Sequence, residues 1–388
     1  MFWTTSIGLG WVYVGYPIVV AAAARLRPVR LAAEGMPPTV AVAIAVHDEA
    51  GQIEERLRDV LAQAGAGVEL VEVLVGSDGS TDETDAVVRR LAVGDPRIRL
   101  VAAERAGQTA TQARLFDVAS ADVVVLTDAE TRFAPGCLAA LVAPFRDPRV
   151  GCVTGRLEWR EERATATSSN EGLYWRYERA VRNVESRAGW LTAVTGALLA
   201  VRRTSYRHVP PIASMDHLLP LYVREAGGLV LYEPAAVATD RPISGLREQF
   251  RNRTRTATRG IRANISMVGR LAPWRQPSAA LAIWSHKLLR WATPWLALAV
   301  AVSGAVLAWS GSPVYALAPA GLLAAAIAAA TAHVIAGTGR RPPRLLAFAR
   351  AFGVVNLAFA IAWLNVIRGK QIEAWRRTEF EMVRARRS

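Results

Sequence analysis

Two acidic turns, each directly after an apolar run, hold the side chains in this sequence best suited to chemistry. Val71 to Val75 leads into Gly76-Ser77-Asp78-Gly79-Ser80-Thr81-Asp82-Glu83-Thr84, and Val123 to Leu126 leads into Thr127-Asp128-Ala129-Glu130-Thr131. In an open α/β sheet, ligands bind just beyond the carboxyl ends of the strands. Short carboxylates at two such ends can hold a base, a ribose and a divalent cation, the three handles of a nucleotide diphosphate. Asp128 and Glu130 are spaced so that both can turn toward one ion. Hard cations such as Mg²⁺ or Mn²⁺ take oxygen ligands and bridge to phosphates. Ser80, Thr81 and Asp82 read more simply as the cap of the following helix, with Gly79 permitting the tight turn.

The elements needed to position these turns are legible around them. Thr39 to Val46 is strand-like, and Glu49 to Ala64 has helical spacing at Ile53, Leu57, Val60 and Leu61. A strand over Val68–Val75, a helix over Thr81–Val93, a short strand at Ile98–Val101, a helix over Thr109–Ala119 and a strand at Val123–Leu126 continue the alternation. Strands alternating with helices predict an α/β fold with a mostly parallel sheet and right-handed crossovers.

The flanks are of another kind. Phe2 to Leu26 carries no charge before Arg25 and is long enough to span a bilayer. Arg25, Arg27 and Arg30 follow it, which places that flank, and the domain after it, on the cytoplasmic side. Positive charges after the apolar run, rather than before it, disfavour a cleaved signal peptide. Ala292 to Trp309 and Val314 to Ala336 read as two further spans; Ala351 to Ile367 is a shorter third segment that either crosses, carrying the basic tail across, or is re-entrant or surface-lying, leaving the tail inside. The chain so divides into a first apolar segment (1–26), a mixed domain (37–241), a basic amphipathic stretch (242–290) and an apolar region with a basic tail (291–388).

The 388 residues carry a formal charge of +14, and Lys287 and Lys370 are the only lysines. Such a balance fits anionic lipid or phosphate-rich ligands. The apolar segments and the lack of any zinc-finger or RNP-type motif argue against nucleic acid as the partner. Cys137 and Cys152 are too few for a disulfide framework or a metal knuckle and read as small buried hydrophobes.

With those residues in view, a resemblance emerges. His47-Asp48-Glu49, the Ser77–Thr84 turn and Thr127-Asp128-Ala129-Glu130 resemble the successive donor-site motifs of family 2 glycosyltransferases, and the apolar flanks resemble its membrane-integrated branch. The resemblance implies a GT-A fold (Rossmann-like, mostly parallel), a nucleotide-diphosphate sugar donor and a divalent cation. It assigns Glu49 and Asp78 to the nucleotide, Asp128 to donor and metal, and Glu130 to the second acidic place of the Asp-x-Asp motif. His47, Ala129 and the pair Gly107-Gln108 fall within the same donor site. Ser214-Met215-Asp216-His217 resembles the segment holding the general base, which makes Asp216 the catalytic residue, and Thr195-Gly196-Ala197 resembles the acceptor-side turn. Departures are visible: Asp48 where Asn is common, Gln108 where Lys is common, Met215 where an acid is common.

Arg247, Arg251, Arg255 and Arg259 recur every four residues and form one stripe if helical. For Arg255, Arg259 and Arg262 the expected role is to lie on anionic headgroups. Gln249 and Arg253, on another face, are assigned to the pyrophosphate, where a guanidinium fork is apt. Gln249-Phe250-Arg251-Asn252-Arg253-Thr254 departs from the Gln-x-x-Arg-Trp of processive synthases, because the Trp is missing. Tyr174, Trp175 and Tyr177 lie between the metal motif and Asp216, and Trp175 is assigned to the acceptor. His286 and Lys287, at the lip of a span, read as interfacial. The reading is an inverting glycosyltransferase at the cytoplasmic membrane, using Mg²⁺ or Mn²⁺ and a lipid, lipid-linked or glycan acceptor. A processive polysaccharide synthase and an inactive membrane scaffold or transporter component are the alternatives. Asp78, Asp128 and Asp216 are all present, which weighs against an inactive scaffold.

Overall fold

The computed structural model describes residues 1–32, 35–65, 67–159, 166–240 and 245–370, and within them the side chains of all but 166–175. The predicted alternation is observed: β1 (Thr39–Val46), α2 (Ile53–Leu61), β2 (Glu69–Asp78), α3 (Thr84–Gly94), β3 (Ile98–Ala103), α4 (Gln108–Val118) and β4 (Val123–Thr127) follow the apolar helix α1 (Phe2–Leu26). Residues 40–46 are all buried, as a central strand covered on both faces requires.

The sequence reading stops at β4, but the sheet does not. It continues through β5 (Arg132–Phe133), β6 (Val150–Trp159), β7 (Leu198–Arg202) and β8 (Leu229–Asp240), with α5 (Cys137–Val142), α6 (Ala166–Ala188) and α7 (Met215–Glu225) between them. The eight strands run in the order β3-β2-β1-β4-β7-β6-β8-β5. β1 is parallel to β2 and β4, and β2 to β3. The second half is mixed: β7 is antiparallel to β4 and β6, while β8 is parallel to β6. One core packs Ile53, Leu57, Val60, Val88 and Leu138 against one face of the sheet. On the other face lie Leu115, Phe116, Leu218 and Leu219, together with Ala263 and Met267 of the long helix α8 (Leu246–Met267). The carboxyl ends of β1, β2 and β4 therefore open between these layers. The turns after them are where the acidic residues sit.

Among the described residues, three helices are long and apolar enough to cross a membrane: α1, the segment Pro313–Gly337 and Arg344–Ile367. The expected span from Ala292 is different in form. It is a pair, α9 (Pro277–Trp291) and α10 (Thr293–Trp309), bent by 64°. Pro294 in the first turn of α10 supplies no N–H to continue α9. After α11 (Leu317–Gly337), the last segment is longer than expected, because α12 starts at Arg344 and ends at Ile367. Val355, Phe359, Ala362 and Trp363 of α12 pack on Ala257 and Ile261 of α8, and Arg262 donates to the Lys370 carbonyl at 2.7 Å. The basic tail lies outside the described residues.

A buried polar cluster joins α1 to α6 and α9. Tyr16 donates to Glu185 Oε1 at 2.5 Å, and His286 Nδ1 lies 2.8 Å from the same oxygen. Glu178 takes Arg290 at 2.7 Å, His286 Nε2 at 3.3 Å and Lys287 at 3.5 Å. His286 and Lys287 are thus not interfacial. Their partners lie on α6, about a hundred residues away in sequence and beyond any local pattern. Removing one member of a buried ionic set leaves the rest unpaired, at a cost of about 3–5 kcal/mol. Glu185→Leu is expected to lower the denaturation midpoint in detergent by that measure. An unchanged midpoint would mean that apolar contacts alone hold α1 in place.

Candidate active site

The turns after β1 and β2 are built as one clasp. Asp48 adopts a left-handed backbone (φ 55°), a region that Asn and Asp visit more readily than other side chains, which accounts for the residue type there. Its carboxylate accepts the Thr81 N–H at 2.7 Å, while Glu49 N–H donates to Thr84 Oγ1 at 2.8 Å and Ala50 N–H to Asp82 at 3.1 Å. His47 Nδ1 lies 3.0 Å from the Asp78 carbonyl. Ser80 and Asp82 are structural, but they tie the two turns together, and the N-cap of α3 is Glu83, with no side-chain cap hydrogen bond.

Asp78 ends β2. It is fully buried, and its carboxylate accepts from Ala106 N–H at 2.7 Å, Gly107 N–H at 2.9 Å and Thr111 Oγ1 at 3.0 Å. It holds the loop that begins α4. Gly107, with φ of +93°, makes that turn, and Gln108 is aimed by it.

Beyond β4 the chain opens a cavity of about 190 Å³. Gln108, Asp128, Gly196, Ala197 and Asp216 line it, five of the residues named from sequence, drawn from four separate elements. Gln108 Nε2 donates to Asp128 Oδ1 at 3.2 Å. The turn after β4 is fixed from beneath. Arg56 is fully buried, paired with Asp59, and donates to Thr127 Oγ1 at 2.7 Å with its guanidinium over the Phe133 ring. Arg132 donates to the Ala129 carbonyl at 2.8 Å. Ala129 is buried and thus positions the turn, and Glu130 is exposed.

Burial, with the charges of Asp240, Asp216 and Glu49 against Arg56, pushes the Asp128 carboxyl up to about 7. Carboxylates gathered so that one resists ionising are short of positive charge. Their oxygen donors fit a hard divalent cation centred on Asp128. Among the described residues, no three His, Cys, Asp or Glu side chains are grouped to hold a metal by themselves. An ion there would complete its shell with phosphate and water oxygens. The charge felt most strongly at Asp128 is that of Asp240, not of Glu130.

Asp216 also lines the cavity and stands in the first turn of α7, where the helix dipole favours an anion. Burial alone would raise it. The His217 imidazole, the Ser214 hydroxyl and Arg259 outweigh burial and hold it well below the usual carboxylate range.

The cavity also receives Arg255 and Arg259. The arginine stripe is real, but its inner turns face the site and not headgroups. Arg259 donates to Thr109 Oγ1 at 3.2 Å and to the Ala213 carbonyl. Burial lowers both guanidiniums, with the charges of Asp216 and, at Arg255, Asp128 opposing it. Gln249 and Arg253, earlier on the same helix, are not among the residues lining the cavity, nor are His47 and Glu49. Trp175 lies on α6 with its side chain outside the described residues. Tyr177, two residues on, donates to the Tyr13 carbonyl at 3.3 Å and underlies Arg290, so it serves the junction with α1. Gln112, His217, Arg255 and Arg259 are among the cavity residues that sequence reasoning did not assign to the site; only the four-residue stripe signalled the arginines.

Comparison with known proteins agrees with this geometry. Residues 37–259 match the model of a family described as glycosyltransferase like family 2. An N-acetylglucosaminyltransferase of Mesorhizobium japonicum is 27% identical over 217 residues, 52% of this chain and 51% of that one. One of Azorhizobium caulinodans is 25% identical over 245 residues, 58% of this chain and 61% of that one. The matches thus span about half to three-fifths of these relatives' own lengths. A mannosyltransferase from Pyrobaculum calidifontis, solved with GDP-Man and Mn²⁺, superposes with a TM-score of 0.69 over 96% of this chain and 100% of that one, at 22% identity. That likeness extends over the apolar helices as well as the sheet.

Proposed function

The chain belongs to glycosyltransferase family 2, with a GT-A fold, and from that premise we propose that it moves a sugar from a nucleotide-diphosphate donor to a lipid or lipid-linked acceptor with inversion at the anomeric carbon. The observation that carries the reading is one cavity lined by Asp128, Gln108, Asp216, Arg255 and Arg259 together.

In this reading Asp128 would hold a divalent cation, Mg²⁺ or Mn²⁺, with Asp240 or Glu130 as the second carboxylate. When bound, the ion neutralises charge on the departing phosphate. Arg255 and Arg259 add fixed positive charge at the same wall, where a guanidinium matches phosphate oxygens. Gln108 orients Asp128. Asp216 takes the proton from the acceptor hydroxyl as that oxygen attacks the anomeric carbon. The bond from that carbon to the phosphate oxygen breaks, and its electron pair leaves with the nucleotide diphosphate. Attack from the face opposite the leaving group inverts the centre.

The acceptor class is supported by α8. Its arginines line the cavity while Ala257 and Ile261 pack on α12, a helix apolar enough to cross a membrane. One helix therefore joins the reacting centre to the apolar region, and the basic residues after α1 favour a cytoplasmic domain among anionic lipids. Radiolabelled nucleotide sugars, Mn²⁺ and membrane lipid extract, incubated with the full chain in detergent, are expected to give label that partitions into organic solvent. A water-soluble product formed equally well without lipid would refute the lipid acceptor.

A further inference from the structure

We propose that His217 is a positioning residue for Asp216, holding one carboxylate oxygen so that the other is presented to the acceptor; this rests on the reading of Asp216 as the base. The two oxygens have different surroundings. Oδ1 accepts from Ser214 Oγ and lies 3.2 Å from His217 Nδ1, and Ser214 Oγ is itself 3.0 Å from that nitrogen, so the three groups form a closed triangle. Oδ2 faces the Gly196 turn. A methyl group built on Gly196 would sit 3.4 Å from Cβ, Cγ and Oδ2 of Asp216, so the absence of a side chain there keeps the approach to this oxygen open.

The imidazole is held from its other edge. A side chain on Gly260 would come within 2.9 Å of His217 Nε2 and 2.5 Å of the Trp291 ring. Gly260 thus lets α8 pass close enough to hold the ring against α7. The groups facing Asp216 are His217 on its own helix, Arg259 and Arg255 on α8, and Asp128 across the cavity. Arg259 is engaged with Thr109 and Ala213. The imidazole is in contact with Oδ1, and it comes first among the groups that oppose burial at Asp216. With Oδ1 tied, the carboxylate has one orientation, and its remaining oxygen points where an acceptor hydroxyl must enter. Misplacing a reacting group by about 1 Å can cost on the order of 10²-fold in rate.

The test compares His217→Asn with His217→Leu in the full chain, measuring transfer at saturating donor and acceptor together with the donor KM. Asn carries an N–H close to where Nδ1 lies, whereas Leu fills similar space with no donor. A positioning role predicts that Leu lowers kcat by about 10–100-fold at unchanged donor KM and that Asn restores most of that loss. If Leu performs as well as Asn, the ring serves only to pack against Gly260 and Trp291, and the proposal fails. A raised donor KM with kcat intact in both variants would make His217 a donor ligand and overturn it equally. Asp216→Asn separates the two levels. Full turnover in that variant removes the base reading, whereas an inactive Asp216→Asn beside equal Leu and Asn variants removes the positioning role alone.

Discussion

Asp128→Asn is expected to lower sugar transfer by about 10²–10³-fold, the scale on which a preorganised electrostatic contact to a leaving group acts, and excess chelator is expected to do the same to the unaltered protein. The raised affinity of Asp128 for protons adds a pH signature. A cation must displace that proton, so Mn²⁺ binding should weaken as pH falls below about 7 and release close to one proton at lower pH. The sign for stability is opposite to that of an ordinary salt-bridged carboxylate. The folded state holds the Asp128 proton more tightly than the unfolded chain, so the cation-free fold loses stability as pH rises from the ordinary value, 3.8, toward about 7. Thermal denaturation from pH 4 to pH 8 checks this. The loss should vanish on adding Mn²⁺ and be absent in Asp128→Asn. A flat profile in the cation-free parent protein, or full turnover in chelator, would remove Asp128 from the metal site.

Asp216→Asn is expected to lower kcat by about 10²–10⁴-fold, the usual worth of a general base, with donor binding nearly intact. Asn preserves the shape of the side chain and its place beside Gly196, but it cannot accept the proton. Donor affinity by calorimetry and single-turnover transfer separate the two effects. Lost donor binding with normal turnover at saturation would make Asp216 a donor ligand and place the base elsewhere.

Of these two carboxylates, Asp128 was legible in the sequence for a physical reason. Short acids directly after β-type apolar runs stand at strand ends whatever the rest of the fold does, so Asp128 could be placed without knowing its neighbours. Asp216 needed the resemblance, because nothing in its local spacing distinguishes it from any acid in the first turn of a helix. Asp78 shows the limit of strand-end reasoning: the position was right, but whether such a carboxylate faces outward or holds a loop depends on Ala106, Gly107 and Thr111, nearly thirty or more residues away. Periodicity likewise gave the arginine stripe without saying what it faces. Arg255 and Arg259 turn inward because Ala257 and Ile261 on another side of α8 are taken by α12. The strands after β4 went unread because β7 enters antiparallel between β4 and β6, a pairing set by distant register. His286 and Lys287 sit next to an apolar run, but their partners are Glu178 and Glu185 on α6.

The central claim, that the cavity beyond β4 uses nucleotide-diphosphate sugars, is tested most directly by incubating the purified full chain and Mn²⁺ with a panel of radiolabelled nucleotide sugars and membrane lipid extract, and following both transfer and release of free sugar. The account predicts turnover of at least one donor, with that activity lost in Asp128→Asn and in chelator. Saturable binding or turnover of no nucleotide sugar by the unaltered protein, or activity that survives the loss of Asp128, would contradict it.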